Sequence, residues 1–511
     1  MIRHLKYSAF HLLFLALLPW SLFAAEPLPE TGAVKPEPLT LRTVIRLTLE
    51  HNLNLQAEQY AARASQAAID REYGLYDPQL LGEFATGESQ KQSNQPFFEA
   101  KTRIRFFRLD FSLAQQLPTG GELSLGFDNQ RRTEDPEPGI DPAYESELSL
   151  QLVQPLLKGF GRTVAEQDIE FAVNDRQVAV EDLRDVAFTL LAEARDTWYE
   201  VLRLRDNLRF REISVALAQK ILREASARVE AGVLAPVDIL EAEFALKERE
   251  RLRLDAEREF HDSLDRLALL MSSSMPITVA DETLDRSEFS MDQDQGFQQA
   301  LAKRPDLQIR LRQLDRLALE ERLARNSLLP GFDLTAGYSH KGLGGDYDDN
   351  LDDISGGDFP NWEVGLNLSY PLGNRTARHE HRRILFRIRG QQAEIAQLHE
   401  EIRNDIRAAV RQVEVNDKKI DVATSGLTFA EEKLRILLKR QEVGLATVRQ
   451  VLEGEEDLAQ ARTDRVASLA DFHKAVTRYL QVTGQLLEAE GVRFHPVFAD
   501  DTVPLLQVGS P

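Results

Sequence analysis

Two very long stretches of the chain lack proline and carry apolar residues at steps of three and four, the pattern of a coiled-coil helix. The first runs from about Arg162 to Glu230 and the second from about Thr376 to Glu442. At 1.5 Å per residue each helix would be roughly 100 Å long, which is too long for a compact globular domain. Helical stretches of about half that length flank them near residues 40–76, 236–271, 295–328 and 448–482. The pattern predicts, in each half, one long helix lined by two shorter helices stacked end to end; a long coiled-coil hairpin is the alternative.

The segments between the helices alternate apolar and polar residues with a period of two, which indicates β-strands with one wet face. The predicted strands cover residues 80–86, 107–113, 123–127, 148–152, 332–336 and 362–370. A tight turn at 116–121 contrasts with long polar connections at 89–102, 130–145 and 341–360, as at the two ends of an outer-membrane barrel. A soluble β-domain would alternate in the same way. Because six strands cannot easily enclose a channel and a barrel has no open edges, a membrane barrel would require several chains to share it.

The order of these elements repeats, which predicts an internal duplication of one structural unit. Pro78 and Pro330 each precede a set of alternating segments, and Pro155 and Pro371 each end one. These prolines stand at predicted strand–helix junctions, where the chain must change direction. The predicted repeats span residues 40–290, with strands at 80–155, and residues 291–485, with strands at 331–370.

The N-terminus has the layout of a secretory signal peptide over residues 1–25, with basic residues, an apolar run and small residues near the cut. An uncleaved anchor is the alternative. Beyond this segment, no stretch is long and apolar enough to span a membrane as a helix. A linker at 26–39 and a C-terminal tail at 486–511 complete the predicted division, with no function assigned to either.

Composition argues against several classes of function. The chain has no cysteine, which leaves no disulfide framework, Cys-ligated metal or thiol chemistry. The formal net charge of -21 opposes binding to nucleic acid, whose phosphates need a basic surface. Gly-x-Ser-x-Gly, His-Glu-x-x-His and phosphate-loop motifs are absent from the sequence. We therefore expect neither an enzyme nor a bound cofactor or metal.

Two segments are weak candidates for metal sites. The acidic segment 346–353 departs from the calcium-binding EF-hand loop, because Leu351 stands in place of its glycine and Gly357 in place of its glutamate. A solvated extracellular loop is the preferred interpretation of this segment. His379 and His381 are expected at a polar helix start rather than in a metal site.

Glycines mark the ends of both long helices. Residues 232–236 and 444–447 are predicted to form tight helix-to-helix turns. Gly232 and Gly444 allow a left-handed C-terminal cap, and Pro236 suits the first turn of the next helix.

Taken together, these features resemble the TolC family of outer-membrane efflux channels. The resemblance lies in the duplicated halves and signal peptide, in the Gly-x-x-Ala/Thr-x-x-Asp/Gln-Ile/Val-Leu-Glu turns at 232–241 and 444–453, and in Gln154-Pro-Leu-Leu-Lys-Gly-Phe-Gly161. It covers about residues 40–485. It implies a homotrimer that shares a β-barrel in the lipid of the outer membrane, with a helical tunnel across the periplasm. The tapered end of the tunnel would meet a periplasmic adaptor (membrane fusion) protein and an inner-membrane pump or ABC exporter.

The expected fold is α+β and mainly α, with duplicated long-helix hairpins forming an α-barrel and strands contributed to a shared trimeric transmembrane β-barrel. The expected function is passive export of small molecules or proteins, in a tripartite efflux or type I secretion system. A periplasmic coiled-coil adaptor is the main alternative, because it would share the signal peptide and the helices. An exported hydrolase is a third alternative, but it should show a catalytic constellation.

The predicted periplasmic aperture lies just past the hairpin tips. Three copies of its carboxylates would form rings that favour cations, although acids early in a helix also complement its dipole. Gly232 and Gly444 are predicted to form the tip that contacts the adaptor. The predicted aperture residues are Asp238, Glu241, Gln450 and Glu453.

The sequence departs from the family pattern in three respects. Six strands are predicted, whereas the best-known members contribute four, so that either the barrel is larger or one hairpin lies outside it. Val229 and Gln441 stand where members often carry a tyrosine, three residues before the turn glycine. Gln450 replaces an acidic residue that Asp238 retains in the first half.

Overall fold

The computed structural model describes residues 38–92, 101–135, 139–274, 277–357, 359–494 and 506–508. The predicted signal peptide, most of the predicted linker and most of the C-terminal tail lie outside the described residues. Within those ranges, none of the helices combines the length and the apolar character that crossing a membrane would need.

Two helices dominate the fold, as the sequence predicts: α4, of 64 residues, and α9, of 68 residues. Each is roughly 100 Å long at 1.5 Å per residue. The helices are α1 Leu41–His51, α2 Leu53–Tyr73, α3 Arg162–Ala165, α4 Gln167–Glu230, α5 Pro236–Leu270, α6 Gln293–Lys303, α7 Pro305–Asn326, α8 Tyr347–Gly356, α9 Arg375–Glu442, α10 Val448–Val482 and α11 Leu486–Ala489.

The prediction of continuous helices over 40–76 and 295–328 was wrong at one position in each. Asn52 has an extended ψ of 120°, and its side-chain oxygen accepts a hydrogen bond from the Leu55 N–H, which makes Asn52 the N-cap of α2. Arg304 has a ψ of 122°, and Pro305 occupies the first position of α7, where its missing N–H costs nothing. The two halves therefore interrupt their helices at corresponding places.

The first half contributes four strands and the second half two, as the sequence predicts. Together they form one antiparallel sheet in the order β1-β2-β3-β4-β5-β6. The strands are β1 Gln79–Gln92, β2 Lys101–Gln116, β3 Glu122–Asp135, β4 Ala143–Pro155, β5 Gly331–Gly344 and β6 Pro360–Ser369; a short pair, β7 Val492–Phe494 and β8 Leu506–Val508, lies near the C-terminus.

Most of the strands are longer than the alternating pattern predicts, because they extend into the long polar connections. The outer part of β3, for example, reads Asn-Gln-Arg-Arg-Thr-Glu-Asp at residues 129–135. Polar residues on both faces remove the period-two signal there, although the backbone pairing with β2 and β4 continues.

The sequence predicts a solvated loop for the acidic segment 346–353, and this prediction is wrong. The segment supplies the N-cap and most of helix α8. Asp346 caps this helix, since its Oδ1 accepts a hydrogen bond from the Asp349 N–H at 3.0 Å. The buried Asn350 attaches the helix to the sheet by donating from Nδ2 to the Ser146 hydroxyl at 2.6 Å. The carboxylates of segment 346–353 therefore belong to a short helix and its N-cap.

The long helices and their partners form one layer with two open edges, except near the hairpin tips, where α5 also contacts α10. Near the sheet, α4 packs between α2 and α7, and α7 in turn packs on α9. Away from the sheet, α4 packs between α5 and α10, and α10 packs on α9. Helices α2 and α5 therefore lie at one edge of the layer and α9 at the other. A separate apolar core joins α4, α5, α9 and α10 near the hairpin tips.

Candidate functional site

The two hairpin tips have the same backbone geometry. Gly232 and Gly444 are left-handed, with φ values of 72° and 76°. The Val233 N–H donates to the Arg228 carbonyl at 2.8 Å, and the Leu445 N–H makes the corresponding bond at 2.7 Å. These bonds satisfy carbonyls at the end of each long helix and reverse the chain. The predicted turns are therefore present at both glycines.

The next helix begins with a side-chain cap in both hairpins. The Asp238 carboxylate accepts a hydrogen bond from the Ala235 N–H at 3.1 Å. In the second hairpin, Gln450 Oε1 accepts from the Thr447 N–H at 3.1 Å, and the Thr447 hydroxyl accepts from the Gln450 N–H at 3.2 Å. Asp238 and Gln450 thus occupy equivalent capping positions. An amide oxygen can accept this bond as a carboxylate does, so the cap does not require an acid at 450.

The two other predicted aperture residues, Glu241 and Glu453, are exposed on the second turns of α5 and α10. Glu453 accepts a hydrogen bond from Arg449 Nε at 2.9 Å. This bond, together with the negative charges of Glu453 and Glu241, raises the pKa of Arg449. The acids of the two hairpins therefore lie near one shared cation. Sequence reasoning missed Arg449, although its spacing of four from Glu453 was a usable signal.

A buried ion pair joins the hairpins behind the tips. Arg249 on α5 donates from Nε to the Glu455 carboxylate on α10 at 2.7 Å, and the two side chains are only 9% and 4% exposed. Its other nitrogens donate to the carbonyls of Leu452 and Ala245 at 2.9 and 3.2 Å. Sequence reasoning missed this pair because its members lie 206 residues apart.

The ends of the two long helices are also connected. Arg228 on α4 donates from Nη1 to the Gln441 carbonyl on α9 at 3.0 Å. Gln441 is buried, and it stands where the family resemblance leads us to expect a tyrosine. The backbone of Gln441 therefore anchors this contact.

The tips expose apolar side chains beside both turn glycines. Val233 follows Gly232, while Val443 and Leu445 flank Gly444, and all three are strongly exposed. Each tip therefore presents exposed apolar surface next to its turn glycine.

The four junction prolines lie at strand ends. Pro78 directly precedes β1 and Pro330 directly precedes β5, whereas Pro155 is the last residue of β4 and Pro371 follows β6 by two positions. The Pro330 carbonyl accepts a hydrogen bond from the Lys158 N–H at 3.2 Å, which connects the two halves where the sheet meets the helices.

Metal-ligating side chains do not gather at the tips or elsewhere in the described part of the chain, where no group of three or more could hold an ion. His381 instead lies 2.9 Å from a carboxylate oxygen of Glu321, in the helical part of the junction. The arrangement at the tips offers charge and contact surface.

Helices of about 100 Å that continue from an amphipathic sheet, and that end in paired charged tips, define the subunit of a channel. A family model described as outer membrane efflux protein matches residues 44–273 and 296–485. The chain therefore belongs to the outer membrane efflux protein family. It is an outer-membrane channel extending into the periplasm and not an enzyme, which favours the channel over the adaptor and hydrolase alternatives.

Similar proteins are consistent with this assignment. Outer membrane efflux protein BepC of Brucella suis is 23% identical over 354 residues, which cover 68% of this chain and 74% of BepC. Outer membrane protein TolC of Vibrio cholerae is 22% identical over 300 residues, covering 56% and 67% of the two chains. Among solved structures, the outer-membrane channel OprN has a TM-score of 0.66 at 15% identity, covering 87% of this chain and 90% of OprN. The Campylobacter jejuni CmeC channel has a TM-score of 0.65 at 14% identity, covering 87% and 85%.

Proposed function

We propose that three copies of the chain form the passive outer conduit of a tripartite efflux or type I secretion system. A periplasmic adaptor protein and an inner-membrane pump or ABC exporter would contact the conduit and supply the energy. Each copy contributes two repeats, residues 40–290 and 291–485, and each repeat contributes one helical hairpin to the tunnel wall.

The observation that carries the oligomer is an apolar stripe on α9 that no other described residue of the chain covers. Its members are spaced by seven, the period at which side chains of a coiled coil face a partner helix. All four are exposed although they lie well inside a long helix, in the half nearer the hairpin tip. The stripe consists of Val415, Val422, Phe429 and Ile436.

The opposite edge of the layer offers a matching surface. Val237, Leu240 and Phe244 lie at steps of three and four along α5 and are also exposed. Helix α5 lies at one edge and α9 at the other, so the contact between copies is heterologous, the type of contact that builds rings when its rotation closes. The family resemblance favours three copies.

The aperture of this ring would be formed by Asp238, Glu241, Gln450 and Glu453. Two of them, Asp238 and Gln450, already cap helices, and Glu453 is paired with Arg449. Glu241 makes no side-chain hydrogen bond or ion pair within the described part of the chain, so it is the carboxylate that can form a ring facing the pore.

The adaptor would contact the tips at Gly232 and Gly444. The left-handed glycines keep the turns narrow, and Val233, Val443 and Leu445 supply exposed apolar surface beside them. An adaptor with an apolar groove that accepts the two turns fits this surface.

The oligomer is tested by the native mass of the protein extracted in detergent from purified outer membrane. We expect the mass of three chains for the wild type, and loss of that species for Val422→Asp, which places a charge in the α9 stripe. Thr428→Asp is the matched control, because Thr428 is exposed on the same helix outside the stripe. A monomer in the wild type, or equal effects of the two variants, would contradict the proposed contact.

The aperture is tested by conductance in planar bilayers with a trivalent cation on the periplasmic side. We expect block in the wild type, and Glu241→Gln should weaken it more than Glu453→Gln does. Glu401→Gln, at an exposed site in the middle of α9, serves as the control. Unchanged block in Glu241→Gln would remove this residue from the aperture.

A further inference from the structure

We infer that all six strands of each copy enter the membrane, with β1 of one copy pairing with β6 of the next, so that a trimer has an eighteen-stranded barrel. This inference rests on the proposed trimeric conduit and defines how its membrane part closes. The competing arrangement leaves the β1–β2 hairpin outside, so that β3 is the edge and the trimer has twelve strands.

The register of the sheet distinguishes the two arrangements. Residues directly opposite each other in an antiparallel pair lie on the same face. Following the pairing from strand to strand gives one row that crosses the sheet, and every member of that row is large and apolar or aromatic. The row consists of Leu80, Leu113, Leu125, Leu150, Tyr338 and Trp362.

The other face of the sheet is polar along the adjacent row. Apart from its first member, this row contains only glycine, serine and asparagine, which suit a water-filled interior. The row consists of Leu81, Ser112, Gly126, Ser149, Ser339 and Asn361. The apolar band therefore does not stop at β3 but continues across β2 to β1 at the same level.

The β1–β2 hairpin carries the same kind of large apolar side chains as the rest of the apolar face, which fits a position in the membrane and not outside it. Along β2, Phe107, Leu109, Phe111 and Leu113 repeat on the apolar face. An apolar face of this size outside the membrane would lie in water without a partner. All six strands have between 10 and 16 residues, and about 9–11 tilted residues suffice to span a bilayer.

The free edges of the sheet fit each other. Strand β1 runs away from the helices, since it follows α2, and β6 runs back toward them, since it precedes α9. Their pairing between copies is therefore antiparallel, like every other pair in the sheet. On the apolar face, Leu80 and Trp362 at the two edges are 74% and 76% exposed, whereas Leu125 and Leu150 inside the sheet are 45% exposed. The edge side chains lack a neighbour on one side, which the next copy supplies.

The strand number sets the width of the exit. Barrel diameter grows roughly linearly with the number of strands, so eighteen strands give a barrel about one and a half times as wide as twelve, and natural barrels of 16–18 strands leave an aqueous channel. The membrane exit would then not be the narrowest part of the conduit, which leaves selection to the hairpin tips.

Cysteine cross-linking tests the closure directly, because the chain contains no cysteine of its own. Phe84→Cys on β1 is combined in turn with Trp362→Cys, Val364→Cys, Leu366→Cys and Leu368→Cys on β6, which samples several registers on one face. Strands β1 and β6 of a single sheet lie roughly 24 Å apart, so a short bis-maleimide can join them only between copies. Leu125→Cys on β3, combined with the same four partners, is the matched control.

We expect at least one β1–β6 combination to give covalent trimers in denaturing gels of outer-membrane fractions, and the β3–β6 combinations to give none. Covalent trimers from β3 and not from β1 would establish the twelve-stranded arrangement and overturn the inference. Absence of all β1–β6 products from a protein with the native mass of a trimer would overturn it as well. A cysteine-free protein that is not a trimer would instead refute the proposed function.

Discussion

Replacing Arg249 with methionine should loosen the hairpin tips. The substitution keeps an unbranched side chain of similar length but removes three hydrogen bonds, to Glu455 and to the carbonyls of Leu452 and Ala245. The Glu455 side chain, which is 4% exposed, loses its cation. Because a buried charge without a partner is unfavourable, the contact between α5 and α10 should open more often.

The magnitude follows from the burial of the pair. Removing one partner of a buried ion pair costs about 3–5 kcal/mol. Each 1.4 kcal/mol changes an equilibrium about tenfold, so local opening of the tips should become more frequent by roughly two to four orders of magnitude. Hydrogen exchange measured by mass spectrometry on the detergent-solubilised protein reports this as lost protection in peptides covering residues 236–250 and 448–458.

Arg251 provides the matched control on the same helix. Its contacts with Glu248 and Asp255 are exposed, with the Arg251 side chain 57% accessible, and solvent screens an exposed pair so that it contributes little to stability. Arg251→Met should therefore change protection by only a few fold. The double variant Arg249→Met/Glu455→Leu should recover most of the protection, since a packed apolar pair replaces a buried ionic one at little cost. Equal exchange in Arg249→Met and Arg251→Met would refute the reasoning.

Two further predictions concern glycine and a buried acid. Gly232→Ala should lower the stability of the tip by about 1–2 kcal/mol, because its φ of 72° strains an L-residue. Gly390→Ala, inside α9, should raise the stability of the protein by up to about 1 kcal/mol. Limited proteolysis of the tips and thermal unfolding distinguish the two variants. Burial raises the pKa of Asp196 to about 6 despite nearby Lys474 and Arg195, so its contribution to stability is full below about pH 4 and lost as the pH rises through 6. Asp196→Asn should raise the unfolding midpoint at pH 8 and not at pH 4, by the equivalent of about 1 kcal/mol after allowance for its partial exposure.

The long elements were predictable because their signals are local and repeated. Proline-free stretches of more than sixty residues with steps of three and four leave little alternative to a helix, and α4 and α9 follow them closely. The breaks at Asn52 and Arg304 were missed because the apolar period continues across both. At Asn52 the side chain accepts a hydrogen bond from the Leu55 N–H and so starts a new helix. At Arg304 the helix breaks because Pro305 has no N–H to donate to the preceding turn.

The candidate site was predictable only where one residue determines the backbone. Gly232 and Gly444 mark turns that require positive φ, and those turns are present. The ion pair of Arg249 and Glu455 joins residues 206 positions apart, so nothing local distinguishes it from the many exposed pairs on the helices. The capping role of Gln450 was missed although a local signal exists, because Thr447 and Gln450 have the spacing of a capping box.

The open edges of the helical layer lie on the same two sides of the molecule as the open edges of the sheet. Strand β1 continues from α2, which shares its edge with α5, and β6 continues into α9 at the other edge. One contact between copies can therefore close both layers at once. Each half supplies one helical hairpin, but the first half supplies four strands and the second only two. An additional hairpin between two consecutive strands widens the barrel and leaves the helical wall unchanged, so the width of the exit can vary independently of the tips.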